Sequence, residues 1–284
     1  MTPKLEAHLS VAPPAKLYHY TSTEAFRCIV EHKKIWATDA FYMNDNQEIL
    51  HALNLFQETC RSLAKSKVDH ELAFLEKLLG ELNFQKTDQP HIFTVSFSAS
   101  RDQLSQWRAY TRNGGYALAF NGDALSHVAD TQGYRLVKCV YQQKEKIQLI
   151  EEYLDAKLSV SAVDPDILAV TTAIDFLEIA AMMKHQGFAE ENEWRLISTS
   201  SRLKVENIEY RSALRYLIPY LEVDIGTTNI PQLNDPRDYI GINEVLVGPV
   251  PEPELSWRSC MQLLQDRMIF FEQITPSSTP FRAS

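Results

Sequence analysis

The stretch LYHYTSTEAFRCIVEHKKIWAT, residues 17–38, predicts a strand, a helix and a second strand in immediate succession. Leu17–Tyr20 is rich in β-forming residues, and Thr21 and Glu24 have the spacing of a helix capping box. One face of the intervening helix is apolar, with Ala25, Phe26, Ile29 and Val30. Ile35–Ala37 then has the character of a short strand, so the chain opens as a mixed α/β unit.

The rest of the chain predicts further strands and helices, without an internal repeat or a linker. Strands are expected at Ile92–Ser98, Gly115–Phe120, Tyr134–Tyr141, Glu193–Ser198, Ile218–Val223, Glu244–Val247 and Met268–Glu272. Helices are expected after Asn44-Asp45 to about Leu82, over Asp102–Tyr110, over most of 144–185 with a break near Pro165, and over Glu254–Leu264. Residues 1–16, which hold three prolines, are expected to form a flexible tail before a single mixed α/β domain over 17–284 with helical insertions.

The composition is that of an ordinary globular protein, and it excludes several functional classes. The 284 residues carry 28 Lys+Arg against 37 Asp+Glu, a formal net charge of −9. Strong non-specific attraction to nucleic acid or anionic membranes is therefore not expected. No apolar run approaches the roughly 18 residues of a membrane helix, and residues 1–16 lack a signal-peptide core. We expect a cytoplasmic protein without a membrane partner.

Several motif-based enzyme classes are also excluded. The chain has 9 glycines and no dinucleotide-binding or Walker A loop, and it lacks the zincin and α/β-hydrolase motifs. Its cysteines form no C-x-x-C pair and have no histidine at ligand spacing, so we expect reduced, buried thiols. They are Cys28, Cys60, Cys139 and Cys260.

Two early motifs place polar groups beside short elements. His19 and Thr21 lie where a strand leads into a helix, so an imidazole, a hydroxyl and free N–H groups can meet one ligand. The alternative is a core histidine beside a helix-capping threonine. In FYMND and the following Glu48, the side chains of Asn44, Asp45 and Glu48 suit a metal or a hydrogen-bonded ligand, or they cap a helix. No metal is expected, because two carboxylates without a histidine provide too few ligands for a metal ion.

A third motif combines hydroxyls with aromatic side chains. Ser96 and Ser98 lie two apart on a predicted strand, so they share one face and can hold a sugar or an amide. The alternative is an edge strand with solvated serines. Trp107 and Tyr110 follow on a short helix, where Trp107 is more typical of a core residue than of a cofactor stack.

The fourth motif, ENEWRL at residues 191–196, is the most informative. Alternation along a strand puts Glu191, Glu193 and Arg195 on one face, opposite a core face with Trp194. Either the charges form an exposed ladder with Glu193 and Arg195 paired, or they line a cleft. In a cleft, paired carboxylates can stabilise a developing positive charge and accept a proton from an acceptor.

The order of these motifs from Leu17 to about Pro249 resembles the prokaryotic domain-of-unknown-function 2971 family. The motifs that carry the resemblance are LYHYTS (17–22), FYMND (41–45), SFS (96–98), W-x-x-Y (107–110), GYALAF (115–120), ENEWRL (191–196) and EVLVGP (244–249). The biochemistry of that family is largely unassigned, so the resemblance does not identify a function.

A more distant resemblance, to ADP-ribosyltransferase folds, implies a function. Residues 17–38 are similar to the opening of those folds, SFS to their Ser-Thr-Ser strand, and Glu191-x-Glu193 to their late catalytic strand. The resemblance implies an α+β fold with a central, mainly antiparallel sheet and NAD as substrate. It implies catalytic roles for Glu193, which would stabilise the oxocarbenium-like transition state, for Glu191, which would orient or deprotonate the acceptor, and for His19. The implied NAD-binding set is His19, Tyr20, Thr21, Tyr42, Ser96, Ser98, Tyr110 and Arg195.

The leading hypothesis is therefore an NAD-dependent ADP-ribosyltransferase-like enzyme, a toxin or phage-defence effector, that transfers ADP-ribose to an acceptor. The acceptor is a protein, a nucleic acid or a small molecule, and the oligomeric state is open. Glu193→Gln is expected to abolish nicotinamide release with an almost unchanged melting temperature. The alternatives are a non-catalytic nucleotide- or NAD-sensing module, and a metal-dependent hydrolase or nuclease that uses Asn44, Asp45, Glu48 and Glu193.

Overall fold

The computed structural model describes residues 3–43, 46–67, 69–82, 90–111, 114–159, 164–199, 207–226 and 242–280. Within these ranges the chain is mixed α/β, with a large sheet that is mainly antiparallel. This confirms the predicted fold class. Across the same ranges, every helix is too short or too polar to cross a bilayer.

Ten strands form the sheet in the described part of the chain. They are β1 (Lys16–Ser22), β2 (Lys34–Asp39), β3 (Phe93–Ser98), β4 (Gly115–Asn121), β5 (Tyr134–Lys138), β6 (Glu193–Ser198), β7 (Glu209–Ser212), β8 (Leu217–Asp224), β9 (Ile242–Val247) and β10 (Gln273–Pro276). The order is β10-β9-β4-β1-β3-β2-β8-β7, and β6 pairs with both β3 and β5. The pair β9–β10 is parallel.

Helices follow most of these strands. They are α1 (Pro3–Leu9), α2 (Thr23–His32), α3 (Asn46–Ala64), α4 (Asp69–Glu81), α5 (Leu104–Tyr110), α6 (Gly122–Gln132), α7 (Gln143–Leu158), α8 (Pro165–Ala181) and α9 (Pro253–Asp266). Short 3-10 helices cover Ala40–Tyr42 and Gln186–Glu191.

The sheet divides along one edge of β3. β1 pairs with the end of β3 at Tyr18↔Ser98, and β2 pairs with its beginning at Thr38↔Thr94. Among the described strands, residues 95–97 of β3 have no ladder partner on this edge. We call this opening between β1 and β2 the split. The other edge of β3 pairs with β6 along residues 94–98.

The two faces of the sheet differ in chemistry. One face packs the apolar side chains of β3 against helices α2, α6 and α9. The opposite face, here called the polar face, combines side chains of β3 and β6, because directly paired residues share a face. Its polar members on these two strands are Thr94, Ser96, Ser98, Glu193 and Arg195. Helices α3, α4, α7 and α8 form a second core next to β5 and β6 on the polar face, and α5 covers β1 and β4 there.

The predicted N-terminal tail is partly a helix. Residues 3–9 form α1, and Leu5 is buried in the core formed with α7 and α8. Lys4 pairs with Glu152 of α7 at 2.6 Å, and a ring nitrogen of His8 lies 2.8 Å from the Lys138 carbonyl oxygen. The expectation of a flexible segment over 1–16 is therefore wrong for residues 3–9, because one leucine and two polar contacts attach them to the core.

Two other expectations about elements need correction. The strand expected at Met268–Glu272 is a turn after α9, since Met268 takes a left-handed conformation with φ 52°, and β10 begins at Gln273. The helix expected to run to Leu82 is two helices, α3 and α4, and Asp69 at the start of α4 has φ 50°. Left-handed residues other than glycine are uncommon, so neither break has a strong sequence signal.

Candidate functional site

Three of the sequence motifs lie on neighbouring strands. β1 carries LYHYTS, β3 carries SFS and β6 carries the last four residues of ENEWRL. Ser98 lies directly opposite Tyr18 on one side and Glu193 on the other. The register therefore brings the candidate residues of three distant segments to one region of the sheet, around the end of β3 and the split.

His19 reaches across the split to the backbone of β3. Its Nδ1 lies 2.9 Å from the carbonyl oxygen of Ser96, and its ring centroid lies 5.7 Å from that of Phe97. A carbonyl only accepts hydrogen bonds, so Nδ1 carries the proton and Nε2 is left as an acceptor. Burial lowers the pKa of His19 and outweighs the hydrogen bond to the Ser96 carbonyl, which acts to raise it, so the imidazole is neutral near pH 7.

His19 and Thr21 lie on the other face of the sheet from Ser96, Ser98 and Glu193. Tyr18 shares the polar face with Ser98, and alternation then directs residues 19 and 21 to the α2, α6 and α9 side. His19 contacts Ser96 only at its backbone carbonyl oxygen, and the Ser96 hydroxyl lies on the opposite face. Thr21 is buried.

Thr21 does not cap α2, and the Tyr20 hydroxyl is hydrogen-bonded within the chain. The cap of α2 is Ser22, whose hydroxyl accepts from the Ala25 N–H at 3.2 Å. The Tyr20 hydroxyl donates to the Ser100 carbonyl at 2.8 Å and accepts from the Gln103 N–H at 3.1 Å. Tyr20 therefore anchors the loop that follows β3.

The two serines of the SFS strand have different surroundings. The Ser98 hydroxyl donates to the Glu191 carbonyl at 2.6 Å and accepts from the Ser100 N–H at 3.0 Å. Its hydrogen atom is therefore already engaged within the chain. The Ser96 hydroxyl is buried, and among the described residues it has no hydrogen-bond partner. Buried polar atoms without a partner are uncommon, so Ser96 is the serine with capacity for a ligand.

The charges of the ENEWRL motif belong to a buried ionic cluster, defined as Glu48, Lys184, Glu191, Glu193 and Arg195. Lys184 Nζ lies 2.6 Å from Glu193 Oε2 and 2.9 Å from Glu191 Oε2. Arg195 Nε lies 2.6 Å from Glu193 Oε1, and Arg195 Nη2 lies 3.0 Å from Glu48 Oε2. Both oxygens of Glu193 are thus held by cations.

Burial and pairing set the charges in this cluster. Glu193 and Arg195 are each 3% exposed, and Lys184 is 1% exposed. Burial acts to raise the pKa of Glu193, but the charges of Arg195 and Lys184 outweigh it and lower the pKa to about 2. Burial acts to lower the pKa of Lys184, but Glu193 and Glu48 raise it above its ordinary value. All three side chains therefore remain charged.

The exposed charge ladder, one of the two interpretations of this motif, is wrong, although Glu193 and Arg195 are paired. The strand begins at Glu193, and Glu191 is the last residue of a 3-10 helix. Asn192 joins them with φ 44° in the left-handed region. Glu191 therefore reaches Lys184 from a turn, whereas simple alternation places it in the strand.

Sequence reasoning missed Lys184. It follows α8 directly after Met182 and Met183, and it is among the largest fully buried side chains. A lysine at the end of a long apolar helix was the signal that could have found it, because a buried lysine needs a carboxylate partner. A second buried lysine, Lys146, donates from Nζ to the Lys184 carbonyl at 2.6 Å, and burial lowers its pKa.

Two of the remaining candidate residues, Tyr42 and Tyr110, lie within the described part of the chain. Tyr42 is 39% exposed, and its ring centroid lies 6.1 Å from that of Tyr216. Tyr110 is partly buried against Tyr18, Tyr20 and Trp107. Asn44 and Asp45 lie outside the described residues.

Metal ligands are not grouped in the part of the chain that the structure describes. No cluster of three or more His, Cys, Asp or Glu side chains there is arranged to hold a metal ion. Glu48 and Glu193, which the metal-dependent alternative used, both bind Arg195. All four cysteines are free, with Cys60, Cys139 and Cys260 buried and Cys28 partly exposed.

The comparisons with known proteins bear on the family. Residues 106–196 match the sequence model of the family described as Protein of unknown function (DUF2971), which confirms that resemblance. The matched stretch contains W-x-x-Y, GYALAF and ENEWRL, and the other motifs lie outside it. No curated protein and no solved structure matches the chain.

Proposed function

We propose that the chain is an NAD-dependent ADP-ribosyltransferase-like enzyme of the glycosyltransferase class. It would cleave the bond between nicotinamide and ribose C1′ and form a new bond from C1′ to an acceptor. The observation that supports this most is the split, where Nδ1 of His19 on β1 lies 2.9 Å from the backbone carbonyl oxygen of Ser96 on β3, beside the strand of Glu193. A cytoplasmic toxin or phage-defence effector is the setting that we propose for this activity.

In this proposal His19 and Ser96 bind NAD. The Nδ1 proton is held by the Ser96 carbonyl, so Nε2 can accept a hydrogen bond from a ribose hydroxyl. The hydroxyl of Ser96, which is buried and has no hydrogen-bond partner among the described residues, can bond the nicotinamide amide or a ribose oxygen. Either Tyr42, which is 39% exposed, or Tyr110, which is partly buried, would stack on the nicotinamide ring.

Glu193 would supply the negative charge that the reaction requires. Loss of nicotinamide builds positive charge on the ribose, and a fixed carboxylate in a water-poor site stabilises that charge. Lys184 and Arg195 keep Glu193 ionised and fixed. Since they also occupy both oxygens, substrate binding would have to displace Lys184 from Glu193. Glu191, on the other side of Lys184, is then placed to orient the acceptor.

The experiment that tests this proposal measures NAD binding with a matched pair of histidine variants. His19→Asn keeps an N–H that can donate to the Ser96 carbonyl but removes Nε2, and His70→Asn makes the same change at an exposed position of α4. We expect NAD to raise the melting temperature of the wild type and of His70→Asn but not of His19→Asn, because a ligand of the folded state stabilises it. Equal shifts in all three proteins would refute a site at the split.

A second function is favoured by one specific observation. Both oxygens of Glu193 are bound by cations, and its side chain is 3% exposed. This arrangement suits a structural carboxylate in a non-catalytic nucleotide- or NAD-sensing module. That module would show a thermal shift with NAD but no free nicotinamide, even in the presence of candidate acceptors.

A further inference from the structure

Arg211 lies on the polar face, on the far side of β2 from the split. It belongs to β7, and its Nη2 lies 3.5 Å from the hydroxyl of Thr38 on β2. Thr38 is directly opposite Thr94 of β3, and Ser96 follows two residues later on the same face. A row of polar side chains therefore runs from Ser96 through Thr94 and Thr38 to Arg211.

The guanidinium of Arg211 differs in its surroundings from the two other arginines of this face. Arg195 is held by Glu193 and Glu48, and Arg101 by Glu244. Within the described residues, no carboxylate lies within ion-pair distance of Arg211, and its Nε is buried without a hydrogen-bond partner. Burial lowers the pKa of Arg211, with only Tyr220 acting to raise it.

A partly buried cation without a counter-charge costs stability, since the protein removes water from it and offers no anion in return. The row contains a second orphaned group, the Ser96 hydroxyl. Both groups can donate to an oxygen, and a ligand with anionic oxygens beside Arg211 would supply the counter-charge that this guanidinium lacks among the described residues. A phosphate is such a ligand, and the planar guanidinium binds it through two N–H groups.

We propose that Arg211 and Thr38 form a binding site for the phosphate of a small nucleotide. This site lies at the end of the polar row away from Glu193. Tyr42 and Tyr216, whose rings are 6.1 Å apart and both of which are partly exposed, lie at the same end, because Tyr216 precedes β8 and Tyr42 follows β2. The phosphate is either that of NAD or that of a separate mononucleotide.

The test measures binding by calorimetry with three probes, namely sodium pyrophosphate, AMP and NAD. The variants are Arg211→Met and Arg211→Lys, and the control is Arg215→Met in the exposed β7–β8 turn. We expect Arg211→Met to weaken binding of the phosphate probe at least about tenfold, Arg211→Lys to weaken it less, and Arg215→Met to leave it unchanged. Binding of NAD alone assigns the phosphate to the dinucleotide, and binding of pyrophosphate or AMP as well assigns it to a free phosphate or mononucleotide.

A stability measurement separates binding from a structural role. Without ligand, Arg211→Met should melt at the same temperature as the wild type or higher, because it removes a partly buried cation that has no carboxylate partner among the described residues. A lower melting temperature, no binding of any probe by the wild type, or equal binding by wild type and Arg211→Met would each overturn the proposal. Phosphate binding by a wild type that shows neither nicotinamide release nor an NAD-dependent thermal shift would reject the transferase proposal and leave this site standing.

Discussion

Glu193 shows why single residues of this site could not be interpreted from sequence. Its strand and its pairing with Arg195 follow from alternation, but Lys184 and Glu48 come from distant segments. Three carboxylates and two cations meet in the cluster, and all are buried. Such a cluster is stable only while each charge keeps its partners.

The burial of Glu193 changes the expected effect of Glu193→Gln. The variant leaves Lys184 and Arg195 buried with one carboxylate fewer, so we expect a loss of about 3–5 kcal/mol in the free energy of unfolding. This replaces the almost unchanged melting temperature that the sequence alone predicts. Urea unfolding measures the change, and Glu190→Gln at an exposed position should stay within about 0.5 kcal/mol of wild type. An unchanged free energy of unfolding in Glu193→Gln would contradict the buried pairing of Glu193 with Lys184 and Arg195.

His19 gives a prediction about pH. Burial lowers its pKa in the folded chain below the ordinary value of 6.5, so the unfolded chain binds more protons as the pH falls below that value. Stability from a neutral His19 is therefore present above about pH 6.5 and is lost as the pH falls through the folded pKa. Urea unfolding between about pH 7 and 5 should show a weaker pH dependence for His19→Asn than for the wild type. Identical pH dependence in the two proteins, with His70→Asn as control, would show that His19 is not a buried neutral group.

At the scale of elements, β1 and β4 meet at a position that requires glycine. A Cβ on Gly115 would lie 2.3 Å from the backbone oxygen of Thr21, where the GYALAF and LYHYTS strands are paired. The close approach fixes the end of β1, which carries His19.

This contact yields a matched pair of glycine substitutions. Gly115→Ala should force the two backbones apart and cost about 2 kcal/mol or more, as overpacked interiors do. Gly80→Ala, in α4 with nothing within 4 Å of its added Cβ, should instead stabilise by about 0.5–1 kcal/mol. Thermal melting of both variants checks the pair. A neutral Gly115→Ala would argue against the pairing of Gly115 with Ser22 that joins β4 to β1.

Most helices and strands were predictable from the sequence, because the spacing of their apolar residues matches the face that each element buries. β3 and β6 have alternation that matches their two faces, and the expected strand at Glu193–Ser198 has the observed bounds. α6 was missed although its signals are present, since Asn121 caps it and Gly133 ends it with φ 80°. α6 lies between β4 and β5, whose strand patterns are clear, and its own run of apolar residues is short.

At the scale of the whole molecule, the split was beyond the reach of sequence reasoning. It exists because β1 and β2, separated by α2, pair with opposite ends of the same edge of β3. Strand propensity contains no information on that choice. The same limit applies to Arg211, whose proximity to Thr38 depends on the order β3-β2-β8-β7.

An enzyme that cleaves the bond between nicotinamide and ribose releases free nicotinamide, which NMR detects after incubation of the purified chain with NAD. We expect the wild type to release nicotinamide, His70→Asn to do so at the same rate, and His19→Asn to release at least about 100-fold less, since it lacks a positioned hydrogen-bond acceptor. The melting temperature of each sample confirms that the variants are folded. Absence of both nicotinamide and an NAD-dependent thermal shift in the wild type would contradict an NAD site at the split.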